Sequence, residues 1–302
     1  MKIAITTSSF AKFSDTPMQL LRERGIESVL NPYGRALTED EAMELLHGCA
    51  GVVAGNEPLT ARVMDACPEL KVISRCGVGM DSVDMDAARQ RGIAVRNTPD
   101  GPTLAVAELT LGYALDLMRQ VTRMDRELRA GQWRKQMGNL LRGKTLGVIG
   151  FGRIGRAVAE MFACMGCPVC FYDPAVPENR GPMLSLGLRE LLAAADIVTL
   201  HAAKPKDGSL ILNRDDLATM KKGAWLINAA RGGILDETAL FEALREGRLA
   251  GAALDVYAEE PYTGPLLELP QVVLTPHIGS YAREARIQME IDTIKNLLAA
   301  FP

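Results

Sequence analysis

The sequence predicts an α/β fold with two doubly wound parallel-sheet domains. Three observations predict it. Short apolar runs alternate with segments of helical periodicity along nearly all 302 residues. One such unit carries a G-x-G-x-x-G between its run and its helix. The length is natural for two cores, and 48% apolar content can fill them.

The first half-chain reads as strands at 2–6, 29–30, 52–54, 72–74 and 93–95. Helices separate them at 17–24, 38–47, 60–66 and 84–91, the second opened by a Thr38-x-x-Glu41 capping box. Strands alternating with helices make a parallel sheet covered on both faces. Two loops of this domain stand after strands, where open α/β sheets take ligands. They are Gly55-Asn56-Glu57-Pro58 and Arg75-Cys76-Gly77-Val78-Gly79. Gly77 and Gly79 are expected to expose N–H groups to a carboxylate, and Glu57 is expected to repel a phosphate.

Asn97-Thr98-Pro99-Asp100-Gly101-Pro102 is turn-rich and marks the crossing to the second domain. One long helix is expected over 103–130, with Leu104, Ala107, Leu111, Ala114, Leu115 and Met118 on its apolar face.

Residues 143–173 are the most informative stretch. Leu146 to Ile149 is an apolar run, and Gly150-Phe151-Gly152-Arg153-Ile154-Gly155 follows it. Ile154, Val158, Met161, Phe162 and Met165 then recur at helical spacing. A second run ends at Asp173, 18 residues after the third glycine. The spacing points to dinucleotide binding: Gly150 for the turn, Gly152 for approach of the pyrophosphate, Gly155 for helix packing. The helix N-terminus attracts the phosphates. Asp173 would accept the ribose hydroxyls and repel a 2′-phosphate, which selects NAD.

Further strands are expected at 197–200, 224–228, 252–254 and 272–274, with helices at 188–194, 214–220, 237–246 and 281–300. The last helix is expected to cross back to the first domain. The expected division is therefore 1–97 plus 281–302, with 98–280 inserted.

A nicotinamide enzyme needs a proton donor beside the reacting carbon, and histidine suits the task. There are three. His47 ends a surface helix, His201 follows a strand beside the cofactor wall, and His277 stands in a rigid Pro276-His277-Ile278-Gly279 turn after a strand. His277 is the candidate. Arg231, flanked by small residues after another strand, can grip a carboxylate. Glu259 and Glu260 both offer a carboxylate to His277, and spacing alone does not choose.

The net charge of −3 and interspersed signs point to no nucleic acid and no membrane surface. No leader is read at the start, no run is long enough to span a bilayer, and a cytoplasmic location is expected. Cys164, Cys167 and Cys170 form C-x-x-C-x-x-C, read as core filling rather than a metal site because no fourth ligand clusters with them.

The segments SRCGVGMDSVD, VRNTPDGPTLAVAELT, GKTLGVIGFGRIG, NAARGGILDE, AALDVYAEEP and TPHIGS together resemble the D-isomer-specific 2-hydroxyacid dehydrogenases over nearly the whole chain. The branch resembled is the short-form 3-phosphoglycerate dehydrogenases. The resemblance implies a flavodoxin-like substrate domain, an inserted Rossmann NAD-binding domain and a homodimer. It implies Arg231, Glu260 and His277 as the catalytic residues, with Glu260 as the partner of His277. NAD contacts carry over to Val106, Arg153, Ile154, Asp173, Ala229, Asp255 and Gly279, and line Ala230 and the His201-Ala202 loop as well. Asp255 would hold the carboxamide. Asn56, Gly77, Val78 and Gly79 would meet the substrate. The implied reaction interconverts a small-molecule D-2-hydroxy acid and its 2-keto acid. A glyoxylate- or hydroxypyruvate-type reductase and a non-catalytic NAD-sensing protein are the alternatives. Where Ala202-Ala203 stand, the family usually has Thr-Pro, and phosphoglycerate-specific relatives often carry an arginine in the loop at 54–57.

Overall fold

The computed structural model describes residues 1–301. The chain divides into two compact units, Met1–Pro102 with the residues from Ser280 onward, and Thr103–Gly279.

The first unit holds β1 (Lys2–Ile5), α1 (Thr16–Glu23), β2 (Glu27–Leu30), α2 (Glu39–Leu46), β3 (Gly51–Ala54), α3 (Ala61–Ala66), β4 (Val72–Arg75), α4 (Met85–Gln90) and β5 (Ala94–Asn97). Its sheet has the order β2-β1-β3-β4-β5, parallel throughout. The order reverses between β1 and β3, so the loops after them flank a crevice at the strands' carboxyl ends. Polar side chains start the helices: Thr38 makes the expected capping box with Glu41, and Thr60 and Asp84 cap α3 and α4.

The second unit starts with α5 (Thr103–Arg119) and α6 (Val121–Arg129). It continues with β6 (Leu146–Ile149), α7 (Arg153–Cys164), β7 (Val169–Tyr172), β8 (Leu184–Ser185), α8 (Leu188–Ala194), β9 (Ile197–Leu200) and α9 (Arg214–Thr219). β10 (Trp225–Asn228), α10 (Glu237–Arg245), β11 (Gly251–Leu254) and β12 (Val272–Leu274) complete it. The order is β12-β11-β10-β9-β6-β7-β8, again all parallel, with the reversal between β6 and β9. β6 to β11, except the two-residue β8, are mostly or wholly buried runs, as two covered faces require. α11 (Arg283–Leu298) returns to the first unit, where Met289, Ile294 and Leu297 join Ile3, Ile5 and Val53 in its core.

Three expectations are corrected. The helix expected over 103–130 is two helices, broken at Gln120, which takes a left-handed φ of 53°. The Asp116 carboxylate stabilises the break by accepting from the backbone N–H and the hydroxyl of Thr122. The buried face of α5 is met in part: Ala107, Ala114 and Met118 are buried as expected, but Leu104 is 66% and Leu115 39% exposed, and Val106, Thr110, Tyr113 and Leu117 are covered in their place. Finally, Cys164 is exposed, while Cys167 and Cys170 are buried and donate to the carbonyls of Leu141 and Leu146. No helix among the described residues is long and apolar enough to cross a membrane.

Candidate active site

The glycine loop joins β6 to α7. Gly150 has φ 90°, and a Cβ there would meet the Ala202 nitrogen at 2.6 Å, because Ile149 and Leu200 are register partners and their loops run together. A Cβ at residue 155 would lie 2.0 Å from the Gly150 carbonyl oxygen. By contrast, nothing stands within 4 Å of a Cβ at Gly152, the N-cap of α7. The loop is closed where it packs and open where a pyrophosphate would approach, so these residues fit a dinucleotide. Arg153 and Ile154 form the first turn of α7.

Asp173 follows β7. Its Oδ2 accepts from the Phe151 N–H at 2.7 Å and its Oδ1 from the Ala175 N–H at 2.9 Å. The carboxylate thus braces the glycine loop from the end of the neighbouring strand, a role the sequence reading lacked.

His201 follows β9 with Nε2 2.9 Å from the Thr199 hydroxyl. Its Nδ1 is buried without a hydrogen-bond partner. Burial holds its pKa down at about 3, so the imidazole is neutral. Ala202 lies beside it, and Ala229 and Ala230 follow β10. Asn228, 2% exposed, accepts from the Ala230 N–H at 3.1 Å and donates to the Arg231 carbonyl at 3.0 Å. Arg231 donates to the Ala230 carbonyl at 2.7 Å. Gly232 presses on the next loop, where a Cβ would stand 1.6 Å from the Tyr257 carbonyl oxygen.

The loops after β11 and β12 bring the acid and the imidazole together. His277 Nδ1 lies 2.9 Å from Glu260 Oε2, and the Tyr257 N–H donates to Glu260 Oε1 at 3.2 Å. Burial raises the Glu260 pKa, but the hydrogen bond and charge of His277 outweigh it and hold it below the ordinary value. Glu259 shares no such bond with His277, so of the two acids Glu260 is the one that meets the imidazole. His277 has φ 55°, a left-handed conformation that costs a non-glycine residue about 1–2 kcal/mol.

Asp255 directly follows β11 and is 1% exposed. Its Oδ1 accepts from the Thr275 hydroxyl at 2.5 Å and the Ile278 N–H at 2.8 Å, and the Tyr113 hydroxyl oxygen lies 3.3 Å from it. Its Oδ2 accepts from the Gly279 N–H at 2.7 Å. Gly279 fits between this carboxylate and Val106, which a Cβ would meet at 3.2 and 3.3 Å.

Residues 111–279 match the model of the D-isomer specific 2-hydroxyacid dehydrogenase NAD binding domain. The chain is 41% identical over 261 residues to a D-3-phosphoglycerate dehydrogenase of Archaeoglobus fulgidus, covering 83% of this chain and 50% of that one. The chain therefore spans about half the length of the phosphoglycerate dehydrogenases it matches. It is 38% identical over 268 residues to a hydroxypyruvate reductase of Thermotoga maritima, covering 86% and 88% of the two chains. A crystal structure of a Thermus thermophilus protein superposes with a TM-score of 0.89 at 39% identity, covering 99% and 96%.

This chain is a D-isomer specific 2-hydroxyacid dehydrogenase family member. Its fold class and its NAD-binding domain are those the family resemblance implied. Arg231, Glu260, His277, Asp255, Gly279, Val106 and the glycine loop all lie in the second unit.

The first unit carries the other loops. Asn56 accepts from the Arg75 guanidinium, and Asn97 donates to the Val78 carbonyl at 2.8 Å. The expectation for Gly77 is corrected: its N–H donates to the Thr98 hydroxyl at 2.9 Å, leaving Val78 and Gly79 at the loop tip. Glu57 is corrected too. It is 1% exposed, accepts from Thr6 at 2.5 Å and from the Gly55 N–H at 3.1 Å, and burial raises its pKa. It braces its own loop rather than presenting a charge to solvent.

Sequence reading missed Tyr113, Asn228, Tyr257 and Thr275. The signal available for Tyr113 was helical phase, since Val106, Thr110 and Tyr113 recur on one buried face.

Proposed function

We propose that this chain is an NAD-dependent oxidoreductase that interconverts a D-2-hydroxy acid and its 2-keto acid. The observation that supports this most is the Glu260–His277 pair, 2.9 Å apart in the loops after neighbouring strands of an NAD-binding domain. Gly150, Gly152, Arg153, Ile154, Gly155 and Asp173 would hold the adenosine and pyrophosphate half of NAD. Val106, His201, Ala202, Ala229, Ala230, Asp255 and Gly279 would line the nicotinamide half. Bound NAD supplies the two-electron redox partner.

The protein's residues do the remaining work. In oxidation, His277 Nε2 takes the hydroxyl proton; in reduction it returns a proton to the carbonyl oxygen. Glu260 accepts the Nδ1 proton, which fixes the tautomer and leaves Nε2 as the reacting nitrogen. Arg231 binds the substrate carboxylate and draws electron density toward the carbonyl oxygen. Asn56 and the backbone of Val78 and Gly79 would receive the substrate.

A hydroxypyruvate-type substrate is supported by the Thermotoga maritima relative, which the chain matches over 88% of its length. A phosphorylated hydroxy acid is supported by the phosphoglycerate dehydrogenases, and the burial of Glu57 removes the exposed negative charge that would oppose one. NADH oxidation with glyoxylate, hydroxypyruvate, pyruvate and 3-phosphohydroxypyruvate separates the two. Turnover of none of a broad panel, with tight NADH binding, would favour a sensor.

We also infer a homodimer. Val121, Leu128, Trp133, Met137 and Leu140 are all more than half exposed within one segment, with Met137 at 92%. Light scattering at micromolar concentration tests this, and a monomer mass would refute it. A cytoplasmic location is supported by six unpaired cysteines, and cell fractionation tests it.

A further inference from the structure

Thr275 is the junction at which the turn carrying His277 is fastened to the sheet. Its hydroxyl donates to Asp255 Oδ1 at 2.5 Å and is itself hydrogen-bonded to the Tyr113 hydroxyl. Its carbonyl accepts from the His277 N–H at 3.1 Å and from the Tyr257 hydroxyl at 2.9 Å. The Leu254 carbonyl, also 2.9 Å from the Tyr257 hydroxyl, shares that one proton with the Thr275 carbonyl, and the Tyr257 N–H holds Glu260. Asp255 then grips the far side of His277 through the N–H groups of Ile278 and Gly279.

His277 therefore sits in an unfavourable left-handed conformation between two anchors that end on one buried carboxylate. Such a conformation persists only where the surroundings over-determine it. The anchor on the near side is a run of hydroxyls, Tyr113 to Thr275 to Asp255. Tyr113 is 4% exposed and reaches the carboxylate from α5, 142 positions away in sequence. Hydrogen bonds to a charged acceptor in a buried run are stronger than isolated neutral ones, and each polarises the next.

We propose that Tyr113 and Thr275 are positioning residues for the proton transfer. Their hydroxyls, acting through Asp255, set the turn that aims His277 at Glu260 on one side and at the substrate on the other. The proposal rests on His277 being the acid/base group. It adds that removing a hydroxyl assigned to neither substrate nor NAD binding reaches the chemistry through the backbone of the turn.

The test compares Thr275→Val, Thr275→Ser and Tyr113→Phe in the full chain. Steady-state 2-keto acid reduction, NADH affinity by fluorescence titration and the NMR resonances of the His277 imidazole are measured for each. Thr275→Val keeps the shape and removes the hydroxyl. Its kcat is expected to fall about tenfold or more, with keto-acid KM and NADH Kd within about threefold of the parent. Thr275→Ser restores the hydroxyl and is expected to recover most of that loss. Tyr113→Phe is expected to lie between the parent and Thr275→Val, and the His277 ring resonances are expected to move in both hydroxyl-deleted variants. The proposal is overturned if Thr275→Val retains parental kcat and parental His277 resonances. It is equally overturned if Thr275→Ser is as impaired as Thr275→Val. If the parent reduces no 2-keto acid, the functional reading fails, and the His277 resonances alone decide whether the two hydroxyls position the ring.

Discussion

Glu260 Oε2 stands 2.9 Å from His277 Nδ1, and the Tyr257 N–H secures the other Glu260 oxygen. The acid is thereby fixed at both oxygens before any substrate arrives. Its pKa is held below the ordinary value, so it stays ionised at neutral pH and accepts the Nδ1 proton. Glu260→Gln keeps the shape and removes the charge. The expected outcome is a kcat for 2-keto acid reduction about 10–100-fold lower, with NADH Kd unchanged within about threefold. Steady-state kinetics with fluorescence titration of NADH check it. A parental kcat in Glu260→Gln would remove the acid from the mechanism.

Asp173 is expected to set cofactor choice and loop order together, because Oδ2 accepts from the Phe151 N–H of the glycine loop. Asp173→Ala should narrow the ratio of kcat/KM for NADH over NADPH by about tenfold or more, and should also raise the KM for both cofactors. A narrowed ratio with unchanged KM for NADH would refute the bracing role. An unchanged ratio would refute the selective one.

The Arg231 loop touches the Tyr257 loop through Gly232, where a Cβ would lie 1.6 Å from a carbonyl oxygen. Backbone must move to admit even a methyl group. Gly232→Ala is expected to lower stability by about 2–3 kcal/mol in chemical denaturation and to displace Arg231, raising keto-acid KM. Retention of both parental stability and parental KM would show that the two loops are not interlocked.

His201 gives a pH dependence of stability. Its folded pKa of about 3 lies below its ordinary 6.5 because its ring is buried. Between those values the unfolded chain binds a proton that the folded chain does not. The contribution is therefore complete above about pH 6.5 and is lost as pH falls toward 3. From pH 7 to 5 the loss is expected to be about 1–2 kcal/mol. Denaturation of the parent and of His201→Gln at both pH values checks this: the parent should lose more on acidification than the variant. Equal losses would count against a buried neutral imidazole.

Much of this was legible in the sequence because its signals are local. Gly150, Gly152 and Gly155 with Asp173 lie in one strand–turn–helix–strand unit, and alternation of apolar runs with helices dictated two parallel sheets. His277 was legible from the rigid turn around it. The break at Gln120 was not, because a left-handed glutamine carries no local mark and is stabilised by Asp116 and Thr122 from outside the residue itself. Tyr113 and Thr275 were not legible either. They read as a core aromatic and a strand-end threonine, and acquire a role only when folding closes the 162 positions between them. Glu57 read as a solvent-facing charge because its partner Thr6 lies 51 positions earlier, at the end of the adjacent strand.

The most direct measurement is the steady-state rate of NADH oxidation with a panel of 2-keto acids, for the parent and for His277→Ala in the same buffer. The parent is expected to turn over at least one member. The kcat of His277→Ala is expected to be about 100-fold or more lower, with NADH Kd nearly unchanged. A His277→Ala variant that reduces the same 2-keto acid at the parental rate would contradict the role of His277 as the acid/base group.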